Sequence, residues 1–533
     1  MTLLNLLFHL MLADFLERVR RPGIWVVAAL GVGFGILFLP PADSQTLMLA
    51  LGPWRGVYNS AWVGIVFGLL AVMILPLFGF SVIKNSLSRD RDTRVGQIIA
   101  TTPVKRPFYL LGKWLSNLAV LTLLLLVLSG MAVVMQLWRG ESTAVQPGQL
   151  LLPLWLLGLP VMAILAALAL LFETMPLLAG GIGNILFFFG WLGYLGAVAL
   201  PGLFRAQIGW IVPRPDWLGI TRPIAALQTF AATLDTTYNG HFNIAGASYG
   251  RLPTIVVWHG FPWTAAIAAE RALWLAAAVG LVLLTALVFD RFDPARTALP
   301  FLQRRKQGQA PASSETFILE PISSLAQLHS LDDGWQRPSW FTLLRAEMGL
   351  LWHGRARWLY ALAGLLTLLS LIAPRGDGPP IAALAWLWPV LLWAELGTRS
   401  HTFHTKTLIY ATPEPRRAQF WLPWLAGIVL GLAATAALSL KALASGDLLQ
   451  WLGILIGVVF APSLAIACGV WSGNGRLFQV LYLVWWLAAA VGNSWLDFMA
   501  FNPGTAVSGM PLVYLLLALA LISLAWLAEK RAE

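Results

Sequence analysis

The chain has 533 residues, 58% of them hydrophobic and 11% charged, with a formal net charge of +11. An ordinary soluble domain carries roughly 25% charged residues, so a soluble globular enzyme of this length is excluded, and apolar runs of about 17–25 residues match the roughly 30 Å of hydrocarbon that a helix must cross. Alternating ten-residue strands of the outer-membrane barrel type are absent, and the basic excess sits in short loops, where the positive-inside rule accounts for it without nucleic acid.

The fold class expected is therefore an all-α integral membrane protein, because a helix satisfies every backbone polar group within its own segment. Residues 3–19 place Leu3, Leu7, Leu10, Met11, Phe15 and Val19 at helical spacing between polar positions. That pattern predicts an amphipathic helix lying along the membrane face. His9, Asp14 and Glu17 interrupt it, so it does not read as a cleavable signal peptide. Arg18, Arg20 and Arg21 mark a cytoplasmic edge. Spans are expected near 24–40 and 61–83, then a basic cytoplasmic loop over 84–113, then spans near 114–137, 150–172, 177–200 and 272–290. The segment 201–271, rich in Pro, Trp and Gly, faces outward by span counting. Residues 291–338, with Arg304, Arg305 and Lys306 ahead of polar and acidic residues, form a cytoplasmic linker.

The pattern then repeats. An amphipathic segment at 339–353 precedes spans near 357–373, 381–396, 418–440, 449–471, 476–496 and 510–528. The chain thus divides into a first half (1–290), the linker and a second half (339–533), with about twelve spans and both termini in the cytoplasm. At one constant offset Phe8 pairs with Phe341, Asp14 with Glu347 and Trp25 with Trp358. At another, Arg89 pairs with Arg399, Thr102 with Thr412, Pro103 with Pro413, Arg106 with Arg416 and Trp114 with Trp424. Most of these matches fall outside the leucine-rich spans, where chance identity is easiest. Two halves of equal topology imply a parallel repeat about an axis along the membrane normal.

The first basic loop reads as a short amphipathic helix, with Val95, Ile98 and Ile99 on one face and Arg94 and Gln97 on another. Pro103 ends it, because the residue before proline is pushed out of the α region. A short surface helix joined rigidly to two spans is a lever for a partner that pushes on it. The competing reading is a solvated connector that only sets topology.

The leading amphipathic helix, the six spans and the acidic-Thr-x-x-Gly-x-x-x-x-x-Thr-Pro-x-x-Arg-x-x-x-x-x-Gly-Lys loop resemble the permease subunits of type-2 ABC exporters. The resemblance implies that this loop is a coupling helix docking into a separate ATP-binding subunit. Asp92, Thr93, Gly96, Thr102, Pro103, Arg106, Gly112 and Lys113 match the motif, flanked by the basic Arg91 and Arg94. The second loop keeps Arg399 and the Thr412, Pro413 and Arg416 core, but has Thr402, Phe403 and Lys406 where the acid, Thr and Gly would stand. The implied protein is a fused permease pair in a prokaryotic plasma membrane, served by two copies of the ATP-binding subunit. ATP and magnesium are expected on that partner, because the chain has no Gly-x-x-x-x-Gly-Lys-[Ser/Thr] phosphate loop.

Other chemistry reads more weakly. His401 and His404 share a face, but lack a third ligand other than Glu395. Asp235, His241 and His259 on the outer segment suit a transferase site or a folded cap, and no Gly-x-Ser-x-Gly or His-Glu-x-x-His accompanies them. No catalytic or metal site is expected. The ionisable Glu173, Glu395 and Asp497 sit at predicted span ends, which argues against an ion-gradient carrier, the alternative twelve-span reading. Cys468, the one cysteine, reads as a small buried hydrophobe. Gly180, Gly181, Gly183 and Asn184 read as a small-residue packing patch. The tryptophans read largely as an interfacial belt, with Trp191, Trp485 and Trp486 as possible lining of a hydrophobic path.

Overall fold

The computed structural model describes residues 3–20, 22–42, 46–142, 144–176, 178–199, 216–236, 238, 242–248, 253–292, 339–352, 357–372, 381–402, 405, 420–473, 475–490, 496–500, 505 and 509–531. The chain forms two compact units. One comprises Met1–Phe289 with Arg476–Val484, the other Asp290–Gly475 with Trp485–Glu533.

In the first unit α1 (Leu3–Val19) is the expected amphipathic helix, and α2 (Pro22–Phe38) follows it. Then come α3 (Ser60–Ile83), the short α4 (Ser86–Asp92) and α5 (Val95–Thr101), and the long α6 (Arg106–Arg139), α7 (Pro147–Thr174) and α8 (Gly181–Ala199). α3 packs lengthwise on α7, and α6 packs on α1, α2 and α7. Two glycines of α3 set the first contact. A Cβ on Gly64 would meet the Gln149 carbonyl at 2.2 Å, and one on Gly68 would meet Pro153 at 3.0 Å. Between helices in an apolar solvent, such close backbone approach replaces the hydrophobic drive available in water. Pro153 and Pro160 lie inside α7, where neighbouring helices tolerate them.

A small sheet closes one end of this unit. Its strands are β1 (Thr46–Leu51), β2 (Trp54–Gly56), β3 (Phe242–Ser248) and β4 (Thr254–Val256), in the order β3-β1-β2-β4. β1 runs antiparallel to β2 and β3, with Leu51 opposite Phe242, and β2 runs parallel to β4. The helix α9 (Thr221–Leu234) precedes β3, and α10 (Ala265–Val288) follows β4 and packs on α7. The helical expectation for the spans holds, and the sheet and α9 are additions to it within and opposite the expected outer segment. Arg55 on β2 makes a two-pronged pair with Glu141, from Nη1 at 2.7 Å and Nη2 at 2.9 Å, and the Tyr58 amide donates to the same carboxylate at 2.8 Å. The Arg55 hydrogen bonds are the main reason the Glu141 carboxyl is held below its ordinary range.

In the second unit α11 (Trp340–Trp352) is the second amphipathic helix, followed by α12 (Arg357–Ile372). The expected span at 381–396 is not one continuous α-helix. It is a 3-10 turn (Ile381–Trp386) and the four-residue α13 (Val390–Trp393), with Pro389 between them. Pro389, which has no amide hydrogen to give, stands as the N-cap of α13. After α14 (Arg399–Thr402) come α15 (Leu422–Ala444), α16 (Leu448–Ser472), α17 (Arg476–Ala490, beginning in the first unit) and α18 (Met510–Arg531). α18 packs on α16, around the rings of Phe460, Trp485, Phe498 and Tyr514. Trp485 donates to the Tyr514 hydroxyl at 3.0 Å and Trp486 to the Ala383 carbonyl at 2.8 Å, so both serve helix packing. Trp191 likewise donates to the Met73 carbonyl in the first unit.

Among the described residues, seven helices are long and apolar enough to cross a membrane, those carrying α3, α6, α7, α10, α15, α16 and α18. This marks a membrane protein. The linker from residue 293 to 338 lies outside the described residues.

Candidate functional site

The predicted loop folds as two short helices. α5 matches the amphipathic segment and stops at Thr101, ahead of Pro103 as proline chemistry requires. The preceding residues form the separate α4, and non-glycine residues in the left-handed region flank it, Asn85 at φ 106° and Arg94 at φ 61°. Such corners are strained for side chains and persist only where their surroundings hold them.

The α4–α5 tip is open. Arg91, Asp92, Thr93 and Arg94 are exposed, Ile98 is 67% exposed and Val95 42%. Gly96 is buried under this turn. Thr93 and Thr102 turn their hydroxyls back on the Arg89 and Ile99 carbonyls, at 2.9 and 2.7 Å, so both close helices. Pro103 is exposed, and Arg106 is half-buried as the first residue of α6. On the apolar side of α5, Val95 and Ile98 are therefore exposed while Ile99 is half-buried.

The base of the tip is fastened by ion pairs that the sequence motif did not specify. Lys113 of α6 pairs with Asp14 of α1 at 2.7 Å and with Asp90 of α4 at 2.8 Å. Tyr109 donates to Asp90 at 2.5 Å. Asp14 also takes Arg18 at 2.8 Å and the Ser116 hydroxyl at 2.6 Å, and Arg18 reaches Asn117 at 2.5 Å. Arg89 pairs with Glu17. Gly112 lets α1 approach, since a Cβ there would meet Leu10 Cβ at 3.1 Å. Burial pushes the Asp14 carboxyl up, but Arg18, Lys113 and the hydrogen bonds outweigh it and bring it down to about 2. Between these helices lies a cavity of about 240 Å³, lined by Leu10, Asp14, Arg89, Thr93 and Ile99 among others.

A second fastening sits at the start of α4. The buried Glu173 carboxylate accepts from the amides of Asn85 (2.7 Å), Ser86 (3.0 Å), Leu87 (2.6 Å) and Ser88 (3.3 Å). It thereby satisfies donors that a helix start leaves orphaned. Lys84, 2% exposed, gives its three protons to the Leu178 carbonyl (2.8 Å), the Gly180 carbonyl (3.0 Å) and Asn184 Oδ1 (2.8 Å). The expected small-residue patch is thus also a polar one.

In the second unit, Arg399 opens α14 and pairs with Glu347 of α11 at 2.5 Å. Burial keeps the Glu347 carboxyl above its ordinary value against the pull of Arg399. Thr412, Pro413, Arg416 and His404 lie outside the described residues, as does the side chain of His401. His241 also lies outside them, while Asp235 closes α9 as its C-cap and His259 is exposed after β4. Among the described residues no three His, Cys, Asp or Glu side chains gather as a metal site.

The arrangement is an ion-paired base carrying a tip whose cationic and apolar side chains are exposed. Asp14, Asp90, Lys84 and Glu173 are the residues that sequence reasoning missed at this site. The Asp14–Glu347 and Arg89–Arg399 matches of the repeat were the available signal, since in each unit an Arg of this loop pairs with an acid of the leading amphipathic helix. Comparison with known protein families, with curated proteins and with solved structures finds no match to this chain.

Proposed function

We propose that the chain is the membrane-spanning permease subunit of an ATP-driven ABC exporter, with two six-span halves in one chain and about twelve crossings. The α4–α5 tip, with Arg91, Asp92, Thr93, Arg94 and Ile98 exposed on a base pinned by Lys113, carries this reading. A separate ATP-binding subunit, in two copies, docks on this tip and on its second-half counterpart around Arg399, Thr412, Pro413 and Arg416. ATP and magnesium belong to that partner. Pressure on the tip passes through Lys113 and Asp90 into α6 and through Asn85 into α3, rocking the spans that bound the pathway. The tip lies in the cytoplasm of a prokaryotic cell, with the chain in the plasma membrane, and the sheet lies on the outer side.

Reconstitution tests this. Proteoliposomes holding the chain and its ATP-binding partner should move substrate only when ATP is hydrolysed. Flux driven by an ion gradient with the chain alone would sink the proposal in favour of a secondary carrier. Loss of activity on alanine substitution at Asp235 or His259 would favour a transferase.

A further inference from the structure

Within the first unit, the strained corner at Asn85 is held from a distant part of the chain. Arg476, the first residue of α17, donates from Nη1 to the Lys84 carbonyl at 2.6 Å. Its Nη2 donates to the Asn85 side-chain oxygen. That carbonyl stands at the C-cap of α3, where a helix leaves acceptors unpaired and a cation is favoured. One turn further along α17, Gln479 accepts from Asn184 Nδ2 at 2.8 Å, and Asn184 in turn accepts from Lys84. Gln479 and Asn184 are both buried. The two residues at the α3–α4 corner are therefore fastened to α17 by two linked contacts, 391 positions apart in sequence for the Asn85 bond.

We propose that Arg476 is a positioning residue that locks the Asn85 hinge, so that the α4–α5 tip and the 476–484 part of α17, both in the first unit, move as one. The proposal rests on the reading of α4–α5 as a lever. A left-handed asparagine costs free energy that its surroundings must offset, and here the offset comes from Glu173 on the amide side and from Arg476 and the Ser88 hydroxyl on the side-chain side. Moving α4 about this corner changes the Asn85 oxygen and the Lys84 carbonyl together, and both are Arg476 partners. The motion is thus handed to α17 without passing along α6.

Hydrogen exchange on the purified full-length chain in phospholipid nanodiscs tests the lock. Arg476→Ala should speed exchange of the 86–92 amides about tenfold, as loss of a charge-assisted hydrogen bond does to a local opening. Exchange in 110–128 should stay unchanged. Coupling is reciprocal, so Asn85→Gly should speed exchange in 477–484. That substitution fits φ 106° without strain and removes the acceptor. Asn85→Asp keeps an acceptor oxygen and should retain wild-type protection in 477–484. Unchanged exchange in 86–92 for Arg476→Ala, or in 477–484 for Asn85→Gly, overturns the proposal. So does an equal rise in 110–128 in both variants, which would make the contacts general support. No nucleotide or partner takes part, so gradient-driven flux could end the exporter reading while this coupling stood, and the reverse also holds.

Discussion

Replacing Asp14 by Asn tests the claim that Lys113 ties α1, α4 and α6 through ionised carboxylates. The substitution keeps the shape and removes the charge. Asp14 titrates at about 2 in the folded chain against an ordinary 3.8. At 1.36 kcal/mol per pH unit, that gap is worth about 2 kcal/mol of stability when the group is ionised. The side chain is 10% exposed, so solvent screening takes little from this figure. The folded pKa is depressed, so the contribution is complete above 3.8 and is lost as pH falls from 3.8 towards 2. The assay is hydrogen exchange of the 6–18 amides in nanodiscs. At pH 7 Asp14→Asn should speed it by about thirtyfold, which is about 2 kcal/mol of local opening. The difference from wild type should shrink between pH 4 and pH 2. Equal rates at pH 7, or a difference that persists unchanged at pH 2, would refute the reasoning, because the carboxylate would then not be the tie.

The matching acid of the second unit should behave oppositely. Burial holds the Glu347 carboxyl above 4.5, so its ionised form is disfavoured in the folded chain. Glu347→Gln keeps the shape and should disturb α11 less at pH 7 than Asp14→Asn disturbs α1, and protection of 341–351 in the wild type should weaken, not strengthen, as pH rises through the acid's range. Arg94→Gly removes a guanidinium while relieving a left-handed corner; if the exporter reading is right, partner ATPase stimulation falls while thermal unfolding of the chain is unchanged, and full stimulation would count against docking at the tip. Charge reversal at Arg106 should lower stimulation likewise, measured beside co-purification of the partner. Gly64→Val should destroy the α3–α7 contact, since its Cβ would lie 2.2 Å from a carbonyl; a loss of about 3 kcal/mol or more, beyond the usual overpacking range, should appear as aggregation in size-exclusion chromatography.

Much of the fold was legible because the solvent is a bilayer. An apolar run must hydrogen-bond to itself, so Ser60–Ile83, Pro147–Thr174 and Leu448–Ser472 lie within three residues of their expected bounds. α6 was legible only from 114, because its first turns carry Arg106, Lys113 and Tyr109 for contacts with α1 and α4, not for lipid. The break in 381–396 falls at Pro389, but Pro153 and Pro160 leave α7 continuous, so proline alone did not make it legible. At the site, the exposed tip was legible because Arg91 to Arg94 are charged or polar beside a Thr-Pro stop. Its base was not, because Asp14, Asp90 and Lys113 become partners only once α1, α4 and α6 converge.

Sequence by itself determined where the long apolar helices run and which loop is basic, since hydropathy and charge act residue by residue along the chain. Tertiary structure alone decided that Thr46–Leu51 is a strand paired with Phe242–Ser248, that α4 breaks from α5 at a strained Arg94, and that Arg476 reaches Asn85. The strand pairing and the Arg476 contact depend on hydrogen bonds between residues far apart in sequence, whose donors and acceptors carry no local mark of their partners.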